Sequence, residues 1–324
     1  MNILVTGGAG YIGSHTVKLL IEKGFTPVIF DNLSRGHIES VPEGTVFENV
    51  DLLDREKLMN CLFKHKIDAA IHFAAFAYVG ESVEDPFMYY RNNVVGSLNL
   101  FTALYETEIK RAVFSSTCSI YGNPVSVPIG ENQKSNPINP YAKTKLMVEN
   151  ILSDYDTAYG LKAVCLRYFN AAGASSDCSI GESHDPEPHL IPLILQTALG
   201  KRKAIQIYGD DYPTEDGTCI RDYIHVEDLA DAHVRALEYL LAGKESTIIN
   251  LGTGNGNSVK EVITTAREIT GKEIPENTVP RRAGDPAILV ADNTKAREVL
   301  GWVPKYNIAG ILKTAWDWHC NPKY

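Results

Sequence analysis

Short, nearly continuous apolar runs alternate with longer stretches in which apolar residues recur every three or four positions. The runs at 3–6, 27–30, 46–50, 69–74, 112–116 and 163–168 read as strands covered on both faces. Between them, 12–23, 55–65, 86–106 and 140–159 carry helical periodicity. This alternation predicts an α/β fold, a doubly wound parallel sheet of the Rossmann type. After Asn170 the pattern changes. Residues 171–192 are rich in Ser, Gly, Pro and acids and read as a long loop. Helices are predicted at 190–199, 226–241, 258–270 and 308–318, with short strands at 204–208 and 247–251. We therefore expect a first domain over 1–170 and a smaller C-terminal α/β lobe over 171–324, with 223–251 returning to the first sheet.

Composition narrows the class. With 324 residues, 44% hydrophobic and 22% charged, the chain has the balance of a soluble globular protein. A net charge of -9 without a long basic run argues against nucleic acid as a partner, although a local pocket can still hold an anion. Cys61, Cys118, Cys165, Cys178, Cys219 and Cys320 show no CxxC spacing and are expected as reduced thiols in the cytoplasm. The chain opens directly on a strand without a basic-then-apolar leader, and no apolar stretch is long enough to span a bilayer, so no membrane partner is expected.

Thr6-Gly7-Gly8-Ala9-Gly10-Tyr11-Ile12-Gly13 lies between the first strand and the first helix. Gly7, Gly10 and Gly13 allow a tight turn and close approach of a pyrophosphate to the helix N-terminus, where Tyr11 and Ile12 begin. Asp31, followed by Asn32, ends the second strand. A carboxylate there binds both hydroxyls of an adenosine ribose and repels a ribose phosphate. NAD is therefore expected over NADP, with Arg35 nearby, and the first domain is expected to hold it.

Phe114-Ser115-Ser116-Thr117 ends a central strand. Ligands of such sheets bind beyond the carboxyl ends of the strands, so Thr117 is expected to face the nicotinamide. Tyr141 and Lys145 are four residues apart and share one helix face behind Pro140. The cation favours phenolate and burial disfavours it. Lowering a phenol by about three pKa units takes about 4 kcal/mol, within reach of two nearby positive charges in a dry cleft. Tyr141 is thus the candidate base, with Thr117 and Lys145 beside it.

The glycine loop, Ser-Ser-Thr and Tyr-x-x-x-Lys resemble the extended short-chain dehydrogenase/reductase family. The closer likeness, running through nearly the whole chain, is to that family's UDP-hexose 4-epimerases. It is carried by Asp31-Asn32-Leu33, His72-Phe73-Ala74, Val79-Gly80-Glu81-Ser82, Tyr90-Arg91-Asn92-Asn93, Leu166-Arg167-Tyr168-Phe169-Asn170, the segment from Gly209 to Thr218, Arg221-Asp222-Tyr223-Ile224-His225-Val226 and Pro280-Arg281-Arg282-Ala283-Gly284-Asp285.

The resemblance implies redox-neutral inversion at carbon 4 of UDP-glucose or UDP-galactose, extending to the N-acetylated sugars, on bound NAD through a 4-keto sugar. Tyr141 takes the 4-hydroxyl proton, Thr117 hydrogen-bonds the reacting oxygen, and Lys145 holds the nicotinamide ribose. It places Asp51 and Leu52 by the adenine, and Phe73, Ala74, Asn92 and Tyr168 along the cofactor. Phe169, Asn170, His189, Leu190, Tyr208, Arg221, Tyr223, Arg282 and Asp285 fall around the uridine diphosphate, and Leu289 at the rim of the sugar pocket. It also implies a homodimer through the helices at 86–106 and 140–159.

There are departures. Phe76-Ala77-Tyr78 stand where many members carry a lysine, Thr117 replaces the commoner serine, and His189 replaces an asparagine. Ala77-Tyr78-Val79-Gly80 and Ser116-Thr117-Cys118 also resemble UDP-xylose/UDP-arabinose 4-epimerases, which keeps a pentose substrate open. A 4,6-dehydratase carries an Asp-Glu pair after the threonine; Cys118-Ser119 follow here, which argues against elimination. A non-catalytic NAD-binding protein is opposed by the presence of Thr117, Tyr141 and Lys145. His184, Asp185, Glu187 and His189 can be drawn as a metal site, but two prolines interrupt them and no metal-ligand spacing is matched. A loop without metal is the expectation.

Overall fold

The computed structural model describes residues 1–282 and 285–324; Ala283 and Gly284, part of the motif that begins at Pro280, lie outside the described residues. The first half runs β1 (Asn2–Thr6), α1 (Tyr11–Glu22), β2 (Thr26–Asp31), β3 (Val46–Asn49), α2 (Arg55–His65), β4 (Ala69–His72), α3 (Val79–Glu84), α4 (Pro86–Tyr89), a π-helical segment (Tyr90–Val95), α5 (Gly96–Glu106), β5 (Arg111–Ser115), α6 (Pro140–Tyr159) and β6 (Lys162–Tyr168). The second half runs β7 (Asn170–Ala172), α7 (Leu190–Ala198), β8 (Ile205–Tyr208), β9 (Ile220–Arg221), β10 (Tyr223–His225), α8 (Val226–Leu241), β11 (Thr247–Leu251), β12 (Asn257–Ser258), α9 (Val259–Thr270), β13 (Glu276–Val279), β14 (Ile288–Leu289), α10 (Thr294–Leu300) and α11 (Ile308–Cys320).

Seven strands form one sheet in the order β11-β6-β5-β4-β1-β2-β3. Strands β1 to β6 pair in parallel, with Val5 opposite both Ile29 and Ile71. The chain leaves β1 toward β2 on one side and later returns to it through β4 on the other. That reversal is the topological switch point, where the carboxyl ends of the strands open a crevice. Strands β1, β2, β4, β5 and β6 are buried because Leu4, Val28, Phe30, Ala70 and Phe114 pack with Leu58, Phe101 and Leu152 of α2, α5 and α6 in one apolar cluster, whereas the edge strand β3, expected to be covered on both faces, is half-buried to exposed. Strong end signals set the helices. On α6, Asn139 accepts the Ala142 N–H at 2.8 Å, Pro140 fills the first turn, and Gly160 closes the helix at φ 69°.

The chain divides into two compact units. One comprises Met1–Gly122, Lys134–Arg167 and Ala230–Ile249; the other comprises Asn123–Gln133, Tyr168–Leu229 and Asn250–Tyr324. The second has its own core, in which Ile191, Ile194 and Leu195 of α7 pack with Val262 and Ile263 of α9 and Ile311 and Leu312 of α11.

Three features differ from the sequence expectation. The stretch 86–106 is α-helical only at its two ends; six residues, Tyr90–Val95, wind as a π-helix. Tyr223–His225 pairs with β7 in a separate two-stranded sheet, and only β11 reaches the seven-stranded sheet. Most remaining strands of the second half are two to four residues long, too short for a two-residue period to register.

Candidate active site

The glycine loop closes on itself between β1 and α1. The Gly10 N–H donates to Gly7 O at 3.1 Å, and the Gly7 N–H to Phe30 O at 2.9 Å. Gly7 lies at φ 71°, and a Cβ there would stand 2.6 Å from the Ala74 nitrogen. A Cβ on Gly13 would stand 2.1 Å from Gly7 O. Both positions therefore require glycine. Helix α1 starts at Gly10 without a side-chain cap, so its own chain does not fill the anion-attracting end of the helix dipole. Phe73 and Ala74 follow β4, their N–H groups donating to Thr6 O at 3.0 and 3.1 Å.

Asp31 lies buried at the carboxyl end of β2, where it accepts the Ala9 N–H at 3.0 Å and the Leu33 N–H at 2.8 Å. Burial raises its pKa, and the two N–H groups oppose the rise. A carboxylate has acceptor capacity beyond two bonds, which leaves room for diol hydroxyls. Asn32 reaches Asp51 at 3.1 Å, so two expected cofactor residues meet beyond β2 and β3. Leu52 packs beneath Gly96. Arg35 is committed elsewhere: it pairs with Glu81 at 2.5 Å and lies over the rings of Phe76 and Tyr78. The uncapped helix end, the crowded glycines and the buried carboxylate of Asp31 fit a dinucleotide.

Tyr141, Lys145 and Thr117 are all buried. Thr117 follows β5, and its Oγ1 accepts the Ser119 N–H at 3.2 Å. Lys145 Nζ donates to Ser115 O at 2.8 Å and lies 4.9 Å from the centre of the Phe114 ring. Tyr141 sits in the first turn of α6, with its carbonyl accepting the Thr144 hydroxyl at 2.7 Å. The structure thus brings the face of α6 onto the end of β5. Burial pulls the Lys145 ammonium down to about 7, and Glu149 opposes that fall.

Sequence reading missed Glu149. It lies one further turn along the Tyr141–Lys145 face and accepts from Ser116 Oγ at 2.5 Å and from Arg167 Nε at 3.0 Å. Arg167 also donates to Tyr121 Oη at 2.9 Å. The signal was available as the i, i+4 spacing from Lys145. Asn93 was also missed. From within the π-segment its amide brackets Phe76, accepting the N–H at 2.9 Å and donating to the carbonyl at 3.0 Å, and it also donates to Thr144 at 3.1 Å. Asn92 donates to Asn93 at 2.9 Å, so it is tied into the same web.

The second unit gathers most of the residues expected around the diphosphate. Arg221 pairs with Asp285 at 2.5 Å, and Leu289 is the register partner of Arg221. Asn170 stands opposite Tyr223 in the β7–β10 pair, and the Phe169 N–H donates to Leu251 O at 3.1 Å. The Arg282 guanidinium lies 4.0 Å from the centre of the Tyr208 ring. Tyr168 ends β6, and Leu190 opens α7. The His189 side chain is turned to Glu187 at 2.8 Å and Glu182 at 3.0 Å. With His184 these make a four-residue cluster that includes Glu182 and not Asp185.

A family model described as GDP-mannose 4,6 dehydratase matches residues 4–315. UDP-glucose 4-epimerase of Rhizobium leguminosarum bv. trifolii is 54% identical, over 98% of this chain and 97% of that one. The chain belongs to this family and, within it, to the UDP-glucose 4-epimerases. The Brucella ovis UDP-glucose 4-epimerase crystallised with NAD superposes with a TM-score of 0.95 at 51% identity, covering 98% of this chain and 97% of that chain. The Stenotrophomonas maltophila UDP-glucose 4-epimerase, with NAD and a formylated UDP-arabinopyranose, gives 0.96 at 41% identity, covering 99% of this chain and 98% of that chain. Such 4-epimerases share the doubly wound sheet described above, and the fold expectation from sequence holds.

Proposed function

We propose that the protein interconverts UDP-glucose and UDP-galactose by inverting carbon 4 on bound NAD, with the N-acetylated sugars as candidate further substrates. The observation that carries this reading is full-length likeness to UDP-glucose 4-epimerases in a chain that keeps Thr117, Tyr141 and Lys145 buried around the end of β5. NAD, when bound, would supply the hydride acceptor and donor that inversion at carbon 4 needs. Tyr141 Oη takes the proton from the 4-hydroxyl and gives it back when the centre has inverted. Thr117 Oγ1 holds the reacting oxygen in line with that transfer. Lys145, donating to Ser115 O, brings an ammonium to the face of α6 that carries the phenol, and favours its ionised form. Asp31, Asn32 and Asp51 hold the adenosine end, and Gly7, Gly10 and Gly13 let the pyrophosphate approach α1.

In this reading the second unit binds the uridine diphosphate. Arg221 and Arg282 meet the phosphates, and Asn170, Tyr208, Tyr223 and Asp285 fix the nucleotide. His189 contributes through its main chain, together with Leu190, because its imidazole is engaged with Glu182 and Glu187. All six cysteines are free thiols, in keeping with a cytoplasmic enzyme. Among the described residues no helix is long and apolar enough to cross a membrane.

A UDP-pentose 4-epimerase is the second reading, favoured by the Stenotrophomonas relative that holds a UDP-arabinopyranose derivative. The test incubates purified protein separately with UDP-galactose, UDP-N-acetylgalactosamine and UDP-xylose, without added NAD, and separates the products by chromatography. Conversion of UDP-galactose without added cofactor is expected. Conversion of UDP-xylose alone gives the second reading; conversion of none of the three removes both.

A further inference from the structure

A side-chain constellation that the proposed chemistry does not use stands in the second unit, sharing with it only the main chain of His189. Glu182, His184, Glu187 and His189 each offer one ligand atom, and all four atoms lie within 4.8 Å of one another. We infer that this cluster is a binding site for a divalent transition-metal ion of the zinc class. This inference does not rest on the sugar-nucleotide reading.

The ligand chemistry is two imidazole nitrogens and two carboxylate oxygens, a set that suits zinc and leaves a dication electrically neutral. Spacing supports it. In a tetrahedral zinc site, ligands at about 2.0–2.2 Å from the metal are about 3.3–3.6 Å from one another. His184 Nδ1 lies 3.3 Å from Glu182 Oε1 and 3.5 Å from Glu187 Oε2. His189 Nδ1 faces the same two carboxylates, 3.0 Å from Glu182 Oε1 and 2.8 Å from the other oxygen of Glu187, Oε1. Both imidazoles use the same nitrogen toward the same pair of acids. Their ring centres are 5.1 Å apart, close enough for two neutral imidazoles to share one dication.

The ligands are held by the backbone around them. The Glu182 carbonyl accepts the Trp318 indole N–H at 2.9 Å, and Tyr324 Oη bonds to both polar groups of Gly181, at 3.2 and 3.1 Å. Pro186 and Pro188 flank Glu187 and restrict its main chain. His189 immediately precedes α7. Bound metal would thus fasten the loop after β7 to the start of α7.

The test titrates the full chain, freed of metal by a chelator and dialysed, with zinc sulfate in competition with a chromogenic chelator. One zinc ion per chain is expected. Binding should weaken at least about tenfold in both the Glu182→Gln and the His184→Ala variants. Zinc should raise the melting temperature of the parent protein and not of either variant. Cobalt(II) in place of zinc should give the intense visible absorption of a four-coordinate ion. Failure of the parent protein to bind zinc overturns the inference and leaves a four-group ion-pair cluster. So does binding of equal strength in both variants, which places the zinc elsewhere, and so does a weak six-coordinate cobalt spectrum. The parent titration stands even where a variant fails to fold.

Discussion

At the scale of single residues, three side chains carry separable expectations. Removing the Tyr141 hydroxyl in Tyr141→Phe takes away the proton acceptor and leaves the dinucleotide contacts in place. Epimerisation should fall by about two to four orders of magnitude. The NAD content of the purified variant should stay that of the parent; a rate above a few per cent of the parent's counts against the base assignment. Lys145 gives a pH signature. Its native pKa lies near 7 against 10.5 for the free side chain, because burial disfavours the ammonium. Below about pH 7 both states hold the proton and the full burial penalty applies. As the pH rises from 7 toward 10.5 the unfolded chain binds more protons than the native one, so the ligand-free protein should gain stability. Urea midpoints across that window should rise for the parent and stay level for Lys145→Met, while that variant loses turnover. Leu289, half-buried beside Arg221, carries the expectation about sugar specificity. Leu289→Tyr should lower the rate on UDP-N-acetylgalactosamine relative to UDP-galactose, and an unchanged ratio would show that the residue does not meet the sugar.

At the scale of elements, α6 is the organising piece. Its capped start and glycine stop fix the helix, and three successive turns present Tyr141, Lys145 and Glu149 on one face. Glu149 joins that face to β5 through Ser116 and to β6 through Arg167. A buried carboxylate that takes several charge-assisted bonds is costly to neutralise, because Arg167 then remains as an uncompensated buried charge. Glu149→Gln should lose about 3–5 kcal/mol in urea unfolding. A loss below about 1 kcal/mol would mean that the network does not hold the helix. The π-segment plays a related part. Its extra residue per turn turns Asn93 inward, where the amide fastens the chain at Phe76 to Thr144 of α6.

At the scale of the whole molecule, the helical run from Pro86 and the helix α6 leave apolar side chains in water. Phe87, Val95, Leu98, Tyr105, Met147 and Tyr159 are exposed, and the Tyr105 and Tyr159 rings stack at 4.3 Å. This density of apolar surface on two adjacent helices suits a two-fold pairing with a second copy. Sedimentation at micromolar concentration should give a dimer, and Leu98→Glu should shift it toward monomer. A monomeric parent protein rules the pairing out.

The amino-acid sequence by itself determined the six parallel strands, the helices α1, α2 and α6, the glycine turn and the Tyr141–Lys145 face. Each is a local matter: continuous apolar runs, a 3.6-residue period, capping residues and a four-residue spacing leave marks within a few positions. Tertiary structure alone decided which distant groups meet. It tied Arg35 to Glu81, set Glu149 between Ser116 and Arg167, and placed Glu182 instead of Asp185 with the two histidines. It also wound Tyr90–Val95 as a π-helix and drew Tyr223–His225 away from the large sheet. These outcomes depend on burying and pairing polar groups separated by tens of residues, and neither hydrophobic period nor residue spacing carries that information.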